Sequence, residues 1–318
     1  MNLKPMTSRR LFLEGASRAV AAAAVWGSVG SGLELRSAEP ILRRSPSKLL
    51  LGLAAYSFRD NFIDSSHNRE RQPPVDKLIS ILDFIDICAS NHCDGVELTS
   101  YYFPKSVTPE LLANIRRRTF VNGMVVSGSA VGNRFTMPKG DERDKEMAHV
   151  KRWIDHTFAM GGSHLRVFAG DRGKLSEEEA RKHCVEALEE CCDYAGKRGV
   201  FLGIENHGGV VAEPDGLLEI VKAVKSSWLG VNLDTGNFST TDPYADLMRC
   251  APYAVNVQIK SEIQPRGKSK VLADLPRLVK ILKDAGYRGF VTLEYEAAED
   301  AFTAVPRLLA ELKRLLAA

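Results

Sequence analysis

The sequence predicts a single α/β domain folded as a (β/α)8 TIM barrel, and three observations predict it. After an atypical N-terminus, short β-rich runs alternate with longer amphipathic runs, eight times over. Strict alternation implies parallel strands joined by right-handed helical crossovers, and eight such units in roughly 280 residues match a closed barrel. The first strand run leads into Tyr56-Ser57-Phe58-Arg59-Asp60. A doubly wound open sheet, the rival architecture, would usually carry a glycine-rich phosphate loop there.

The strands are expected over residues 50–57, 95–98, 123–130, 164–168, 200–205, 229–234, 255–260 and 289–295. The clearest helical runs are 75–90, 145–160, 176–197 and 272–285. Ser176-Glu177-Glu178-Glu179 reads as a capping box. Gly199 and Gly286 stop the helices ahead of the fifth and eighth strands. Pro306 is expected to mark the start of the last helix or a kink in it. Residues 60–74 form a long polar insertion, expected at the barrel mouth as a lid.

The chain has 318 residues, 44% hydrophobic and 26% charged, the balance of a water-soluble globular protein. A formal charge of +3 with no later Lys/Arg block argues against nucleic acid as a partner. No run of 18 apolar residues occurs, so no membrane span is expected in the mature region. Residues 1–38 read as a twin-arginine export signal: Ser8-Arg9-Arg10-Leu11-Phe12-Leu13, then a weakly apolar segment over 19–29 and a polar stretch through Arg36 and Glu39. Cleavage after Ala38 would release a barrel domain of residues 39–318 into the periplasm, and an uncleaved signal would tether it to the membrane. Assembly into a homo-oligomer is left open. Cys88, Cys93, Cys184, Cys191, Cys192 and Cys250 contain no C-x-x-C pair. They read as buried free thiols, although an oxidising compartment permits a bridge.

In a barrel of this kind function collects at the C-terminal strand ends. Side chains alternate along a strand, so the phase of the apolar residues identifies what faces the lumen. Leu202 and Ile204 suit the helix side, which turns Glu205 inward. Val231 and Leu233 likewise turn Asn232 and Asp234 inward, and Val255, Val257 and Ile259 turn Asn256, Gln258 and Lys260 inward. The same reasoning puts Glu294, Glu97 and Arg166 in the lumen. Strands five to eight therefore each offer an oxygen donor, expected at one height: Glu205, Asp234, Gln258 and Glu294. Three clustered carboxylates are costly without compensation, and a divalent cation is the natural one. Oxygen donors favour Mn or Mg ahead of Co or Zn. His207, with Asn206 and Gly208-Gly209 beside it, suggests a substrate-binding turn. Lys260 and Arg166 either offset the carboxylates or hold an enolate or an acidic substrate. Glu97 is a further candidate substrate contact, and His164 is assigned to the core or to support behind the site.

At these residues the sequence resembles the sugar phosphate isomerase/epimerase superfamily, the xylose isomerase-like barrels. The resemblance is carried by Gly203-Ile204-Glu205-Asn206-His207-Gly208-Gly209, by Gly230-Val231-Asn232-Leu233-Asp234-Thr235-Gly236-Asn237, by Val291-Thr292-Leu293-Glu294-Tyr295-Glu296 and by Asp94-Gly95-Val96-Glu97-Leu98. It spans essentially all of residues 39–318. The resemblance implies a metal held by Glu205, Asp234, Gln258 and Glu294, with Gln258 standing where the family usually has His. Asn237 is a second departure, at a position where ketose epimerases often have a His for the substrate.

What the resemblance implies for activity is proton transfer next to a sugar carbonyl through an enediolate, with Glu205 and Glu294 as the catalytic pair and Lys260 steadying the charge. Isomerisation or epimerisation of a sugar or sugar derivative is the leading expectation. The alternatives are a metal-dependent lyase or hydrolase acting on keto-sugars or glycosides, and a non-catalytic sugar-binding protein, which Gln258 favours. The DNA-repair endonuclease branch of this fold uses several extra His and ranks last, because only His207 clearly lies at a mouth position.

Overall fold

A computed structural model describes residues 39–67 and 69–318. The export-signal reading of residues 1–38 lies outside the described residues. The barrel strands are β1 (Lys48–Ala54), β2 (Gly95–Thr99), β3 (Val125–Ala130), β4 (His164–Val167), β5 (Phe201–Glu205), β6 (Leu229–Asp234), β7 (Ala254–Ile259) and β8 (Arg288–Leu293). They close in the order β1-β8-β7-β6-β5-β4-β3-β2, with every pairing parallel. One helix follows each strand: α1 (Ile81–Ser90), α2 (Pro109–Val121), α3 (Asp141–Ala159), α4 (Glu177–Gly196), α5 (Pro214–Ala223), α6 (Pro243–Cys250), α7 (Leu275–Asp284) and α8 (Ala301–Ala317). The expected (β/α)8 barrel is the observed fold.

The strand phase explains the closure. Leu202, Ile204, Val231, Leu233, Val257, Ile259, Val291 and Leu293 are all fully buried. Each contributes about 1.5–3 kcal/mol by leaving water. The alternate positions carry the buried polar residues Asn232, Asp234, Asn256, Gln258 and Thr292, so the barrel interior is polar toward its C-terminal end. Gly128 and Gly203 leave the space that the His164 ring fills; a Cβ at either position would run into it.

Helix starts follow their caps. Ser80 and Asp83 form a capping box, so α1 begins at Ile81 rather than at the expected 75, and Val75–Lys77 is a separate 3-10 turn. The capping box at Ser176 and Glu179 opens α4. Leu272, expected in a helix, pairs instead in a short antiparallel ribbon of Glu262–Ile263 with Val271–Leu272, and α7 starts later behind the Asp274 cap. Asp300 caps α8, so Pro306 lies inside that helix and does not mark its start.

The insertion after β1 folds over the mouth. Phe62 bridges to Ile79, Arg59 pairs with Glu70 at 2.9 Å, and the His67 ring lies 5.6 Å from Tyr56 and 5.5 Å from Tyr101. All six cysteines are buried and unbridged. Among the described residues no helix is long and apolar enough to cross a membrane.

Candidate active site

Every lumen-facing residue named from the sequence reaches the C-terminal half of the barrel interior. Glu205 ends β5, Asp234 ends β6, and Glu294 and Lys260 immediately follow β8 and β7. Their exposures are 3%, 0%, 5% and 6%. Above them opens a cavity of about 430 Å³. Arg166, Glu205, His207, Asn237, Lys260, Glu294 and Glu296 line it, together with the aromatic rings of Tyr56, Tyr101 and Phe168 and with His67.

Two internal cations organise the carboxylates. Arg166 Nε lies 2.8 Å from Glu205 Oε2, and its Nη1 donates to the Val131 carbonyl at 3.0 Å. The guanidinium sits 3.9 Å from the Phe168 ring centre, and that ring packs 4.6 Å from His207. Asn237 Nδ2 donates to Glu205 Oε1 at 2.8 Å. Lys260 Nζ contacts Glu294 Oε2 at 2.6 Å, Glu296 Oε1 at 2.7 Å and Asp234 Oδ2 at 3.2 Å. Gly236 makes room for this lysine, since a Cβ there would lie 2.7 Å from Lys260 Cγ. The Lys260 N–H donates to Thr235 Oγ1 at 2.9 Å, which ties the loop after β6 to the end of β7.

Three expectations are corrected here. The four strand-end donors do not converge: the register sets Gln258 beside Asp234 but beside Thr292, two residues short of Glu294, and β7 brings Lys260, not Gln258, into ion pairs with Asp234 and Glu294. Gln258 has its Oε1 accepting from Asn232 Nδ2 at 2.6 Å and its Nε2 donating to Glu97 Oε1 at 2.6 Å. Its oxygen is therefore committed and does not face the carboxylates. Glu97, a candidate substrate contact, does not line the cavity; its second oxygen accepts from Asn256 Nδ2 at 2.6 Å. Asn206, expected in a substrate-binding turn, is buried and staples β5 to β6 by bonding both backbone groups of Asp234 at 2.8 Å. His207 is the part of that turn that reaches the cavity.

Burial sets the electrostatics. It pushes the carboxyl groups of Asp234 and Glu205 above their ordinary range, with Lys260 and Arg166 respectively pulling back. Burial opposes ionisation of Glu294 too, but the charge and hydrogen bond of Lys260 outweigh it and hold that group low. Burial and the Glu294 charge push Glu97 up to about 7, against the pull of its amide donors. The Lys260 ammonium, despite burial, is held charged by Asp234, Glu294 and Glu296.

Whether a divalent cation suits these residues turns on donor chemistry and charge. Among the described residues, Glu205 pairs directly with Arg166, and Asp234, Glu294 and Glu296 with Lys260, while Arg59 and Lys270 also line the cavity. Glu205 Oε2 and Asp234 Oδ2 are buried and, among the described residues, accept no hydrogen bond beyond those ion pairs. Glu205 and Asp234 thus offer hard, incompletely satisfied oxygens, the donor chemistry a hard cation takes, with Glu294, held by Lys260, beside them. Gln258, whose oxygen is taken, does not fit as the fourth ligand. In the geometry described, the carboxylates turn toward Arg166 and Lys260, and no group of three His, Cys, Asp or Glu stands around a common centre among the described residues.

Sequence reasoning missed Glu296 and the aromatic wall of Tyr56, His67 and Tyr101. Glu296 was signalled by its spacing of two from Glu294, the strand period continued past the strand. The wall had no local signal, since it assembles from residues far apart in the chain.

A closed parallel barrel with its buried charges gathered at the C-terminal mouth defines the TIM-barrel class. Within that class the chain belongs to the xylose isomerase-like TIM barrel family, whose profile matches residues 85–315. Among solved structures it is similar to a D-psicose 3-epimerase studied in the presence of D-fructose, at 17% identity and TM-score 0.66, covering 84% of this chain and 97% of that one. It is similar to the IOLI protein with a bound zinc atom, at 17% identity and TM-score 0.65, covering 84% and 96%. It is also similar to a probable 3-DHS dehydratase from Bacillus anthracis, at 14% identity and TM-score 0.58, covering 85% and 99%. At these identities the likeness shows the fold. No curated protein sequence matches the chain.

Proposed function

We propose that the protein is an isomerase or epimerase that moves a proton at the carbon next to the carbonyl of a sugar or sugar derivative. The observation that carries this reading is the pair Glu205 and Glu294, two buried carboxylates opening on one cavity, each paired with its own buried cation. Relatives of the same fold named as an epimerase and a dehydratase support the class of chemistry.

A divalent cation held by Glu205, Asp234 and Glu294, Mn or Mg ahead of Co or Zn, would polarise the substrate carbonyl and acidify the adjacent C–H. One of the two glutamates takes that proton, and in an epimerisation the other returns a proton to the opposite face. Lys260 faces the negative charge that develops on the substrate oxygens, as an ammonium in a dry site. Arg166, Asn237 and His207 orient hydroxyl groups, and Asn237 also holds Glu205 in place. The aromatic rings suit the C–H faces of a sugar.

Residues 1–38 are proposed as a twin-arginine signal, which would place this activity outside the cytoplasm. The function is tested by elemental analysis of the purified protein combined with a screen of keto- and aldo-sugars for solvent deuterium incorporation. Incorporation at the carbon beside a carbonyl supports the reading even without net conversion. Tight sugar binding with no exchange and no metal selects a non-catalytic binding protein instead.

A further inference from the structure

The geometry points to a role for Gln258 other than metal ligation: its amide is a locked hydrogen-bond donor that positions Glu294 and Glu97. This rests on the reading that Glu205, Asp234 and Glu294 hold a cation. Gln258 belongs to a closed ring of four buried side chains. Asn256 Nδ2 donates to Glu97 Oε2 at 2.6 Å and to Asn232 Oδ1 at 2.8 Å. Asn232 Nδ2 donates to Gln258 Oε1 at 2.6 Å, and Gln258 Nε2 closes the ring on Glu97 Oε1 at 2.6 Å. The remaining direction of that NH2 group reaches Glu294 Oε1 at 3.5 Å.

The direction of the ring is not arbitrary. An ionised Glu97 only accepts and requires the NH2 groups of both Asn256 and Gln258 to face it; a protonated one carries a single O–H, so at least one of its oxygens still requires an NH2 group. Asn256 then has one N–H left for Asn232 Oδ1, and Asn232 must present its own NH2 to the Gln258 oxygen. Turning that oxygen toward the carboxylates would set acceptor against acceptor at Glu97 and Glu294. It would also leave the Asn232 NH2 facing another NH2, in a layer where Glu97, Asn232 and Gln258 are fully enclosed. Unsatisfied groups at such depth are strongly disfavoured. The strand register sets Asn232 beside Asn256, two members of the ring. Gln258 is thus a positioning residue, part of a plate beneath the charged layer.

The test is calorimetric titration of Mn²⁺ into the full chain, with thermal melts of the metal-free protein alongside. The variants are Glu294→Gln, Gln258→Met, Asn232→Leu and the last two combined. Glu294→Gln is expected to weaken Mn²⁺ by about ten-fold or more. Gln258→Met and Asn232→Leu should weaken it equally, within about three-fold, and the double variant no further. A Gln258→Met loss about ten-fold beyond that of Asn232→Leu would make Gln258 a ligand and overturn the inference. The melts read the ring without metal: the double variant should lower Tm no more than the larger single change, and additive losses would overturn the ring. A chain that takes no Mn²⁺ yet keeps this coupling would sink the cation reading and leave the ring standing. If Gln258→Met does not fold, Gln258→Asn, too short to close the ring, gives the same readouts.

Discussion

Lys260 Nζ lies 2.6 Å from Glu294 Oε2, and the same ammonium reaches Asp234 Oδ2 at 3.2 Å. Both carboxylates are almost wholly excluded from solvent, and this ammonium is the cation that ion-pairs with each of them. Removing one partner of a buried ionic cluster strands the others. Lys260→Met should therefore cost about 3–5 kcal/mol in urea unfolding without divalent cations. Adding Mn²⁺ should recover part of that loss, because a bound cation stabilises by mass action. Wild-type stability in the metal-free variant would show that the carboxylates do not need the lysine.

His164 supplies a pH prediction. Its ring is buried in the space left by Gly128 and Gly203, and among the described residues neither ring nitrogen has a hydrogen-bond partner. Burial and the nearby Arg166 charge push it down to about 3, from 6.5. The folded state thus holds the neutral ring, while the unfolded chain takes up a proton below about pH 6.5. The stabilising contribution is full above that value and falls as pH drops toward 3. At pH 5 the loss is about 2 kcal/mol relative to pH 7. Urea unfolding at the two pH values should show wild type losing about that much more than His164→Leu. Equal losses in the two proteins would mean that the ring is protonated in the native state.

Gly203→Ala places a methyl group against the His164 Nε2 and 3.0 Å from Asn232 Cβ. Neither neighbour is a flexible chain end, so overpacking should cost about 1–3 kcal/mol, read as a lowered urea midpoint at unchanged slope. A neutral substitution would imply that the His164 ring has somewhere else to go.

Replacing Arg9 and Arg10 together with lysine should leave the protein in the cytoplasmic fraction of an expressing cell that exports the wild type. Export of the variant at the wild-type level would contradict the signal reading of residues 1–38.

The fold and much of the site were legible because both rest on periodicity. Alternation along 202–205, 231–234 and 291–294 placed Glu205, Asp234 and Glu294 in the lumen, where they lie. Alternation fixes which face a side chain occupies, but not its partners or its level. Gln258 was correctly turned inward. Its neighbour Asn232, oriented by Asn256, captures its oxygen before it can serve the carboxylates. Lys260, two residues on, has the reach to arrive where Gln258 was expected. Helix starts were misjudged where local patterns competed: apolar Val75 suggested an early helix, although Ser80 and Asp83 carried the cap. The mouth wall was beyond sequence reading, because His67 meets Tyr101 only after the insertion folds back.

The central claim is that Glu205 and Glu294 are the groups that move the proton. The direct measurement is solvent deuterium incorporation into a sugar that the wild type exchanges, repeated with Glu205→Gln and Glu294→Gln after circular dichroism establishes that both are folded. Each variant should lose exchange by about 10²–10⁴-fold. Exchange at the wild-type rate in either folded variant would remove that glutamate from the reaction and contradict the account.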